Sequence, residues 1–176
     1  IRREYAWDRP STVIHHGTDL QRFRPPEGAG EIKAIRSAFR VPDDAWLWLF
    51  IGEAAKGLRE VIELLPRFPN ARLLVISRSD LAPFQHLAKN NHSASRVHFH
   101  GPTPRPEDAY RAADTLVYPA SYDAFAMVGA EAMASGLPVI VTDDGAARDF
   151  CDARTAFLVR SRRVAIAPGT GGLGPS

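Results

Sequence analysis

Short apolar segments alternate with segments of helical pattern along most of the chain. The apolar segments are rich in β-branched and aromatic residues, which is typical of strands. The predicted strands are TVIHH, WLWLFIG, RLLVIS, RVHFHG, TLVYPA, PVIVTD and TAFLV. The predicted helices span residues 31–39, 57–65, 81–90, 106–113, 124–135 and 145–151. This alternation predicts parallel strands joined by helical crossovers.

The strands also indicate how the sheet is covered. Segments such as LWLFI are apolar at nearly every position, which indicates burial on both faces. An α/β fold with a doubly wound, Rossmann-like parallel sheet satisfies both this burial and the alternation with helices. In such a fold, ligands are expected at the carboxyl ends of the strands.

The two ends of the chain have a different pattern. Residues 1–18 predict an incoming linker without a helix, and we expect one Rossmann-like domain over residues 19–160. Residues 161–176 predict an irregular tail that is truncated or disordered. The tail stretch GTGGLG matches the dinucleotide-binding pattern, but only two residues follow it. No helix is therefore predicted there to bind a pyrophosphate.

Composition narrows the class of protein. With 176 residues and 45% hydrophobic content, the chain can bury one sizeable core. Its net charge of +2 comes without a dense basic run, so nucleic acid is not predicted as a partner. A single cysteine, Cys151, excludes an internal disulfide framework and fits a reducing cytoplasm. No apolar run could span a bilayer, so we expect a soluble cytoplasmic protein, for which peripheral association with the inner face of the membrane stays open.

The loop GEAAKG, residues 52–57, follows a predicted strand and is a candidate anion site. Gly52 lets the backbone pass close to a ligand, and Lys56 can meet a phosphate as a point charge near the start of the next helix. An ordinary turn with a solvated lysine explains the loop equally simply. For the loop alone, that ordinary turn is the favoured interpretation.

The segment VHFHGP, residues 97–102, ends another predicted strand. Its backbone can offer hydrogen-bonding groups to a base edge, which makes His100 a candidate binding residue. His98 and His100 alternate along the strand, and a structural role is the favoured interpretation of each side chain. Neither has a carboxylate or a third ligand at metal spacing, so no metal site is predicted.

A third candidate site lies at the start of the predicted helix 124–135. Asp123 stands just before this helix, where it can serve as an N-cap. The helix is apolar nearly all round, which is typical of a buried helix, yet it carries Glu131. A lone buried carboxylate is costly unless it is hydrogen-bonded. Helix geometry directs Glu131 back toward the helix start and hence toward the ligand end of the sheet.

The start of that helix also suits a diphosphate, because free backbone amides and a partial positive charge attract anions there. The amides concerned belong to Phe125, Ala126, Met127 and Val128. With phosphate oxygens on these amides, Glu131 could hold ribose hydroxyls and Asp123 could hold a sugar. Both acids would act as hydrogen-bond acceptors.

Several segments, in order, resemble the C-terminal, donor-binding half of the retaining GT-B glycosyltransferases known as glycosyl transferases group 1, or family GT4. VIHHGTDLQRFRP is similar to the family's V-x-x-N-G-V-D-x-x-x-F-x-P segment, LFIGEAAKGL to its glycine and lysine loop, and RVHFHG to its V-x-F-x-G strand. The most specific segment is ADTLVYPASYDAFAMVGAEAMASGLPVIVTDDGAARDF, which resembles A-D-x-x-x-x-P-S-x-x-E-x-F-G-x-x-x-x-E-A-M-A-x-G-x-P-V-x-x-x-x-x-G-x-x-E. The resemblance extends to lipopolysaccharide core glucosyltransferases.

The resemblance implies roles for individual residues. Asp123 and Glu131 match the two acids of the E-x7-E motif, of which the first contacts donor-sugar hydroxyls and the second the ribose. Lys56 matches the lysine that neutralises the diphosphate leaving group, and Gly52 matches the loop glycine. Residues 125–128 match the backbone cradle of the diphosphate. Asp123 and Lys56 would thus be the catalytic residues.

The resemblance also implies the reaction. A hexosyltransferase of this family moves a sugar from a nucleotide sugar, such as a UDP- or GDP-sugar, to an acceptor hydroxyl with retention of the anomeric configuration. The implied acceptor is a glycan or glycolipid, as in polysaccharide or lipopolysaccharide biosynthesis, and no metal or other cofactor is implied. Positioning and charge stabilisation of the leaving group would supply most of the rate.

The sequence departs from the family pattern at several positions. Asp123 is one methylene shorter than the usual glutamate, Glu53 stands where arginine is common, and His16 replaces an asparagine. Two alanines, at positions 124 and 126, replace glycines, and the lysine loop is shorter than usual. The N-terminal acceptor domain of a GT-B enzyme is not part of the chain, so the chain alone is expected to transfer nothing.

Two alternatives to a transferase donor domain are compatible with the residues. A nucleotide-sugar 2-epimerase shares the same two-domain plan and needs no acceptor. A degenerate, non-catalytic module that docks protein partners would explain Glu53, the short loop and the irregular tail.

Overall fold

A computed structural model of the chain describes residue 10 and residues 12–161. Strands over this part of the chain are β1 Trp46–Ile51, β2 Ala71–Ile76, β3 Val97–His100, β4 Thr115–Tyr118, β5 Val139–Thr142 and β6 Phe157–Val159. Its α-helices are α1 Ala29–Ala38, α2 Leu58–Leu64, α3 Ala82–Asn90, α4 Pro106–Ala112 and α5 Met127–Ala134. Short 3₁₀ helices span Leu65–Arg67, Ala94–Arg96 and Gly145–Asp149.

The six strands form one parallel sheet in the order β3-β2-β1-β4-β5-β6. Chain progression reverses between β1 and β4, because β2 and β3 lie on one side of β1 and the later strands on the other. This is the doubly wound, Rossmann-like architecture that the strand pattern predicts. The reversal leaves a crevice above the carboxyl ends of β1 and β4, where ligands bind in such folds.

Strand composition accounts for the core. Five of the six residues of β1 are buried, and Leu47, Leu49 and Phe50 have no exposed surface. Right-handed crossovers place α2 and α3 on one face of the sheet and α4 and α5 on the other. In agreement, α2 packs against α3, whereas α4 packs against both α1 and α5. Both faces of the central strands are thus covered, as the continuous apolar runs indicate.

The strand predicted for TVIHH is wrong, because residues 12–16 form no strand. Val13 and Ile14 are largely exposed, and the segment instead lies beside the loop before α5. The rings of His15 and His16 contact the ring of Phe125, at centroid distances of 5.9 and 5.3 Å. β-branched residues favour a strand only where a neighbouring strand is available for pairing. Such a neighbour is missing for this segment among the described residues.

Four of the predicted helices agree with the structure to within two residues at each end, and the other two differ by more or in helix type. The helix expected from residue 124 begins at Met127, and only Gly129 and Ala132 within it are fully buried. Its start is delayed because the backbone at Ala126 adopts the left-handed conformation, with φ 59°. The helix expected over 145–151 is a 3₁₀ helix over Gly145–Asp149.

The irregular tail and its glycine pattern were predicted over residues 161–176, of which 162–176 lie outside the described residues. Of the predicted linker, residues 1–18, residues 1–9 and residue 11 also lie outside the described residues. The proposed domain bounds at residues 19 and 160 therefore stay a prediction.

Candidate functional site

A cleft of about 410 Å³ opens at the switch point between β1 and β4. Its walls come from the segments that follow β1, β2, β3 and β4, together with the first turn of α5. The lining residues are Ile51, Gly52, Glu53, Lys56, Ile76, Ser77, Arg78, Pro102, Thr103, Pro106, Tyr118, Asp123, Met127 and Val128. All three segments singled out in the sequence reach this cleft, which the lysine loop, the Asp123 loop and, through Pro102, the segment VHFHGP line.

Asp123 is the centre of a hydrogen-bond network at the cleft wall. Its Oδ2 accepts the Lys56 ammonium at 2.8 Å and the Tyr118 hydroxyl at 2.9 Å. Its Oδ1 accepts the backbone amides of Phe125 and Ala126 at 3.1 and 2.7 Å. Asp123 is therefore not the expected N-cap of α5, because that position is held by Ala126; Asp123 instead closes the turn before the helix.

This network fixes the charge of the Asp123 carboxyl. Burial alone would raise its pKa, but the hydrogen bonds from Lys56 and from the amides of Ala126 and Phe125, together with that from Tyr118, outweigh burial and hold the pKa at about 2. The pKa of Tyr118 lies far above its ordinary value, first because the ring is buried and then because the hydroxyl donates to Asp123. Asp123 is therefore a carboxylate and Tyr118 a neutral phenol at neutral pH.

Ionisation of Asp123 should make the folded state sensitive to acid. The folded pKa of about 2 lies below the ordinary value of 3.8, so its stabilising effect is complete above the ordinary value and is lost as the pH falls toward 2. Urea unfolding should show the wild type losing about 1–2 kcal/mol more than Asp123→Asn between about pH 6 and pH 2.5. Asp43→Asn, an exposed control paired with Lys33, should show almost no such difference. Equal losses in wild type and Asp123→Asn would contradict the depressed pKa.

The first turn of α5 presents backbone amides to the cleft. Because Phe125 and Ala126 donate their amides to Asp123, the predicted diphosphate cradle is reduced to Met127 and Val128. Both residues line the cleft, and their amides have no hydrogen-bond acceptor within residues 12–161. The next amide, that of Gly129, donates to the carbonyl of Ala126 at 2.9 Å. Two adjacent N–H groups at a helix start can bind one anionic oxygen each.

Glu131 lies one turn further along α5 and does not line the cleft. Its Oε2 accepts the hydroxyl of Tyr110 at 2.6 Å, while Oε1 has no partner among the described residues. Burial raises the pKa of Glu131, and the hydrogen bond from Tyr110 and the charge of Arg22 counteract that rise only in part. The hydrogen bond to Tyr110 explains how a largely apolar helix keeps a carboxylate.

His100 is not among the residues that line this cleft. Its ring contacts Phe39 at a centroid distance of 5.4 Å and lines a second cavity, of about 430 Å³, between α1 and α4. Its carbonyl accepts the amide of Ser77 at 3.2 Å, as expected for an inter-strand position. The two cavities share Thr103, which lies in the loop after β3. The structure thus brings the loop after His100, but not its side chain, to the cleft.

Three residues that matter to the site were not singled out in the sequence. Tyr118 and Tyr110 hydrogen-bond the two acids, and Gly57 lets the lysine loop approach the loop after β4. A tyrosine that ends a buried strand, as Tyr118 does, is the signal that could have indicated a polar partner. Tyr110 has no such signal, because its partnership depends on how α4 packs against α5.

No group of three or more His, Cys, Asp or Glu side chains in the described part of the chain could hold a metal ion. Among the helices within residues 12–161, none is both long enough and apolar enough to cross a membrane.

Comparison with known proteins shows several relatives. The model of the family glycosyl transferases group 1 matches residues 31–165. The D-inositol 3-phosphate glycosyltransferase of Streptomyces avermitilis is 34% identical over 178 residues, which cover 90% of this chain and 38% of that protein. The chain spans little more than a third of the length of the curated relatives it matches.

Solved structures agree with these relatives. WaaG, a glycosyltransferase involved in lipopolysaccharide biosynthesis, is 28% identical with a TM-score of 0.68, over 74% of this chain and 37% of that chain. The C-terminal domain of a glycosyl transferase group 1 family protein (LpcC) from Francisella tularensis is 26% identical with a TM-score of 0.66, over 82% and 80%. The sequence motifs, the doubly wound sheet and these matches agree, and the chain belongs to the glycosyl transferases group 1 family.

Proposed function

We propose that this chain is the donor-binding domain of a retaining hexosyltransferase that moves a sugar from a nucleotide sugar to an acceptor hydroxyl. The observation that carries the proposal is that Lys56 lines one cleft with Met127 and Val128, whose amides have no acceptor among the described residues. An ammonium group and helix-start amides are the groups that bind a diphosphate in proteins. The family of the chain supports the same function.

The proposed donor lies along the switch-point cleft. Its diphosphate contacts Lys56 and the first turn of α5, and its base lies against the loop after β3, where Pro102 and Thr103 line the cleft. Glu131 lies one turn beyond the residues that line the cleft, and the ribose extends out of the cleft to its Oε1, which has no partner among the described residues. This places the sugar beyond the diphosphate, at the open mouth of the cleft.

The chemical step follows from this placement. The bond between the anomeric carbon and the diphosphate oxygen breaks while the anomeric carbon bonds to the acceptor oxygen, and the acceptor's hydroxyl proton passes to the leaving diphosphate oxygen. Negative charge gathers on the leaving diphosphate, and Lys56 together with the helix-start amides stabilises it. We propose that no metal takes part and that a second, N-terminal domain supplies the acceptor.

The acceptor we propose is a glycan or glycolipid. One relative is named for a phosphorylated inositol acceptor, and a structural neighbour is described as involved in lipopolysaccharide biosynthesis. The whole enzyme would then work in the cytoplasm, peripherally at the inner face of the membrane. The relatives and structures named above are glycosyltransferases and none is an epimerase, so transfer is the function we propose.

Nucleotide binding tests the proposal on the chain itself. Calorimetric titration with UDP and with GDP should show saturable binding of at least one. Lys56→Ala should weaken binding of that nucleotide and of inorganic pyrophosphate by about tenfold or more, because both need the ammonium charge. Glu131→Ala should weaken the nucleotide alone, since pyrophosphate has no ribose.

Lys89→Ala, on the exposed surface of α3, is the matched control and should change neither affinity. Failure of wild-type chain to bind either nucleotide would refute the proposal, as would unchanged binding in Lys56→Ala. If Glu131→Ala weakened the binding of nucleotide and of pyrophosphate equally, the proposed ribose contact would be refuted. The proposed role of Lys56 in binding the diphosphate would not be contradicted.

A further inference from the structure

All four acceptor positions of the Asp123 carboxylate are occupied by the chain itself. Each carboxylate oxygen can accept two hydrogen bonds, and each has two here. Oδ1 receives the amides of Phe125 and Ala126, and Oδ2 receives the Lys56 ammonium and the Tyr118 hydroxyl. A sugar hydroxyl could bind Asp123 only by displacing one of these donors.

The donors around Asp123 are held from different elements. Tyr118 is buried at the end of β4, and its ring lies under Gly52, where an added Cβ would stand 3.5 Å from the tyrosine. The two amides belong to the turn that Asp123 itself closes, so they cannot leave without unfolding that turn. Lys56 is the exception, because its flexible side chain ends in the cleft and is 29% exposed.

We propose that Asp123 is a positioning residue, which acts through Lys56 and the turn before α5. The proposal rests on the proposed nucleotide-sugar function. Before a donor binds, Asp123 holds the Lys56 ammonium at the cleft wall. The diphosphate of the donor then replaces Asp123 as the ion-pair partner of Lys56. Asp123 keeps Tyr118 and the two amides, so the turn that carries the helix start stays in place.

The proposed role is additional to the sugar contact implied by the family resemblance, and it follows from the short side chain. An aspartate reaches only its own turn and the neighbouring Lys56 and Tyr118, whereas a glutamate could extend further into the cleft. The Asp123 charge also competes with the diphosphate for the same ammonium group. Donor affinity in this chain is therefore set partly by an internal ion pair.

UDP carries no donor sugar, so its binding isolates the effect of Asp123 on Lys56 and on the turn before α5. Asp123→Asn keeps an oxygen for the Phe125 and Ala126 amides but removes the competing charge, so UDP should bind about 3–10-fold more tightly than to wild type. Asp123→Ala frees Lys56 but loses the turn, so it should bind UDP more weakly than Asp123→Asn. GDP replaces UDP as the probe if the wild-type chain prefers it.

Glu53→Gln is the matched control, since Glu53 lines the same cleft and carries the same charge without an ion pair to Lys56 among the described residues. It should tighten UDP binding by less than about twofold. Unchanged or weaker UDP binding by Asp123→Asn would overturn the proposal, and so would equal tightening by both variants.

A second readout needs no ligand. The chain contains three lysines, Lys33, Lys56 and Lys89, so their ammonium resonances can be assigned by single substitutions in a ¹⁵N-labelled sample. At low temperature the Lys56 ammonium protons should exchange slowly with water in the wild type and in Glu53→Gln, and should exchange too fast to observe in Asp123→Asn. Equal exchange rates of the Lys56 ammonium protons in wild type and in Asp123→Asn would show that Asp123 does not hold Lys56 in an ion pair.

The two readouts distinguish failure of the positioning role from failure of the proposed function. If neither UDP nor GDP binds any variant while the ammonium contrast is present, the nucleotide-sugar function is wrong and the hold of Asp123 on Lys56 is supported. If a nucleotide binds but Asp123→Asn leaves both readouts unchanged, the function stands and the positioning role is wrong.

Discussion

Replacement of Arg36 by methionine is expected to lower the free energy of unfolding by about 3–5 kcal/mol. Methionine keeps most of the apolar length of the side chain, so the loss comes from the guanidinium and not from a cavity. The Arg36 side chain is only 6% exposed, and its charge is paired with Asp114 at 2.8 Å. Since Asp114 is 40% exposed, most of the loss comes from the buried backbone carbonyls that the guanidinium leaves without a donor.

The guanidinium of Arg36 joins three parts of the fold. Besides Asp114, which also accepts the amide of Leu47, it donates to the carbonyls of Ala112, Asp43 and Ala45 at 2.9, 2.7 and 3.0 Å. These acceptors lie at the end of α4, before β1 and before β4, so one side chain on α1 ties the amino ends of both central strands. The switch point depends on these two strands.

Arg59→Met is the matched control for Arg36→Met. Arg59 lies on α2 and forms an exposed ion pair with Glu63, with more than half of each side chain in solvent. Its loss should change the free energy of unfolding by no more than about 0.5 kcal/mol. Chemical denaturation at neutral pH compares the two variants, and losses of similar size would contradict the structural role assigned to Arg36.

The sheet could be predicted from the sequence because its strands carry their own signal. A strand buried on both faces must be apolar throughout. β1 is apolar at every position, with only Trp46 exposed, and β2 is apolar except at Arg72. TVIHH has the same residue types but no strand to pair with, and strand pairing is a tertiary property. Local composition therefore predicted a strand at residues 12–16, for which no pairing strand is available among the described residues.

The candidate site could be predicted in part for a similar reason. Lys56 and Asp123 are 67 residues apart, yet both follow central strands, and parallel strands bring their carboxyl ends to one edge. The late start of α5 could not be predicted, because it depends on which amides Asp123 captures. Tyr118 carries a local signal, because it ends a buried strand, but the partnership of Tyr110 with Glu131 depends on how α4 packs against α5, which no local pattern encodes.

Gly57 is the second position at which a small change should have a large effect. An alanine Cβ there would lie 2.8 Å from the carbonyl oxygen and 2.9 Å from Cγ of Pro119, and the backbone at Gly57 has φ 101°, where alanine is strained. We expect Gly57→Ala to lower the free energy of unfolding by about 2–4 kcal/mol, from the strain and the clash together. Pro119 directly follows β4, so relief of the clash moves the lysine loop away from that strand.

Lys56 directly precedes Gly57, so such a shift moves its ammonium away from the first turn of α5, which lines the same cleft. Gly57→Ala should therefore weaken UDP or GDP binding by about tenfold even where the variant is still folded. Gly30→Ala is the control, because a Cβ at Gly30 in α1 meets nothing within 4 Å and should raise stability by about 0.5–1 kcal/mol. Wild-type stability in Gly57→Ala would show that the lysine loop tolerates a side chain against Pro119. Lower stability with unchanged nucleotide affinity would show that the loop's close packing serves the fold and not the position of Lys56.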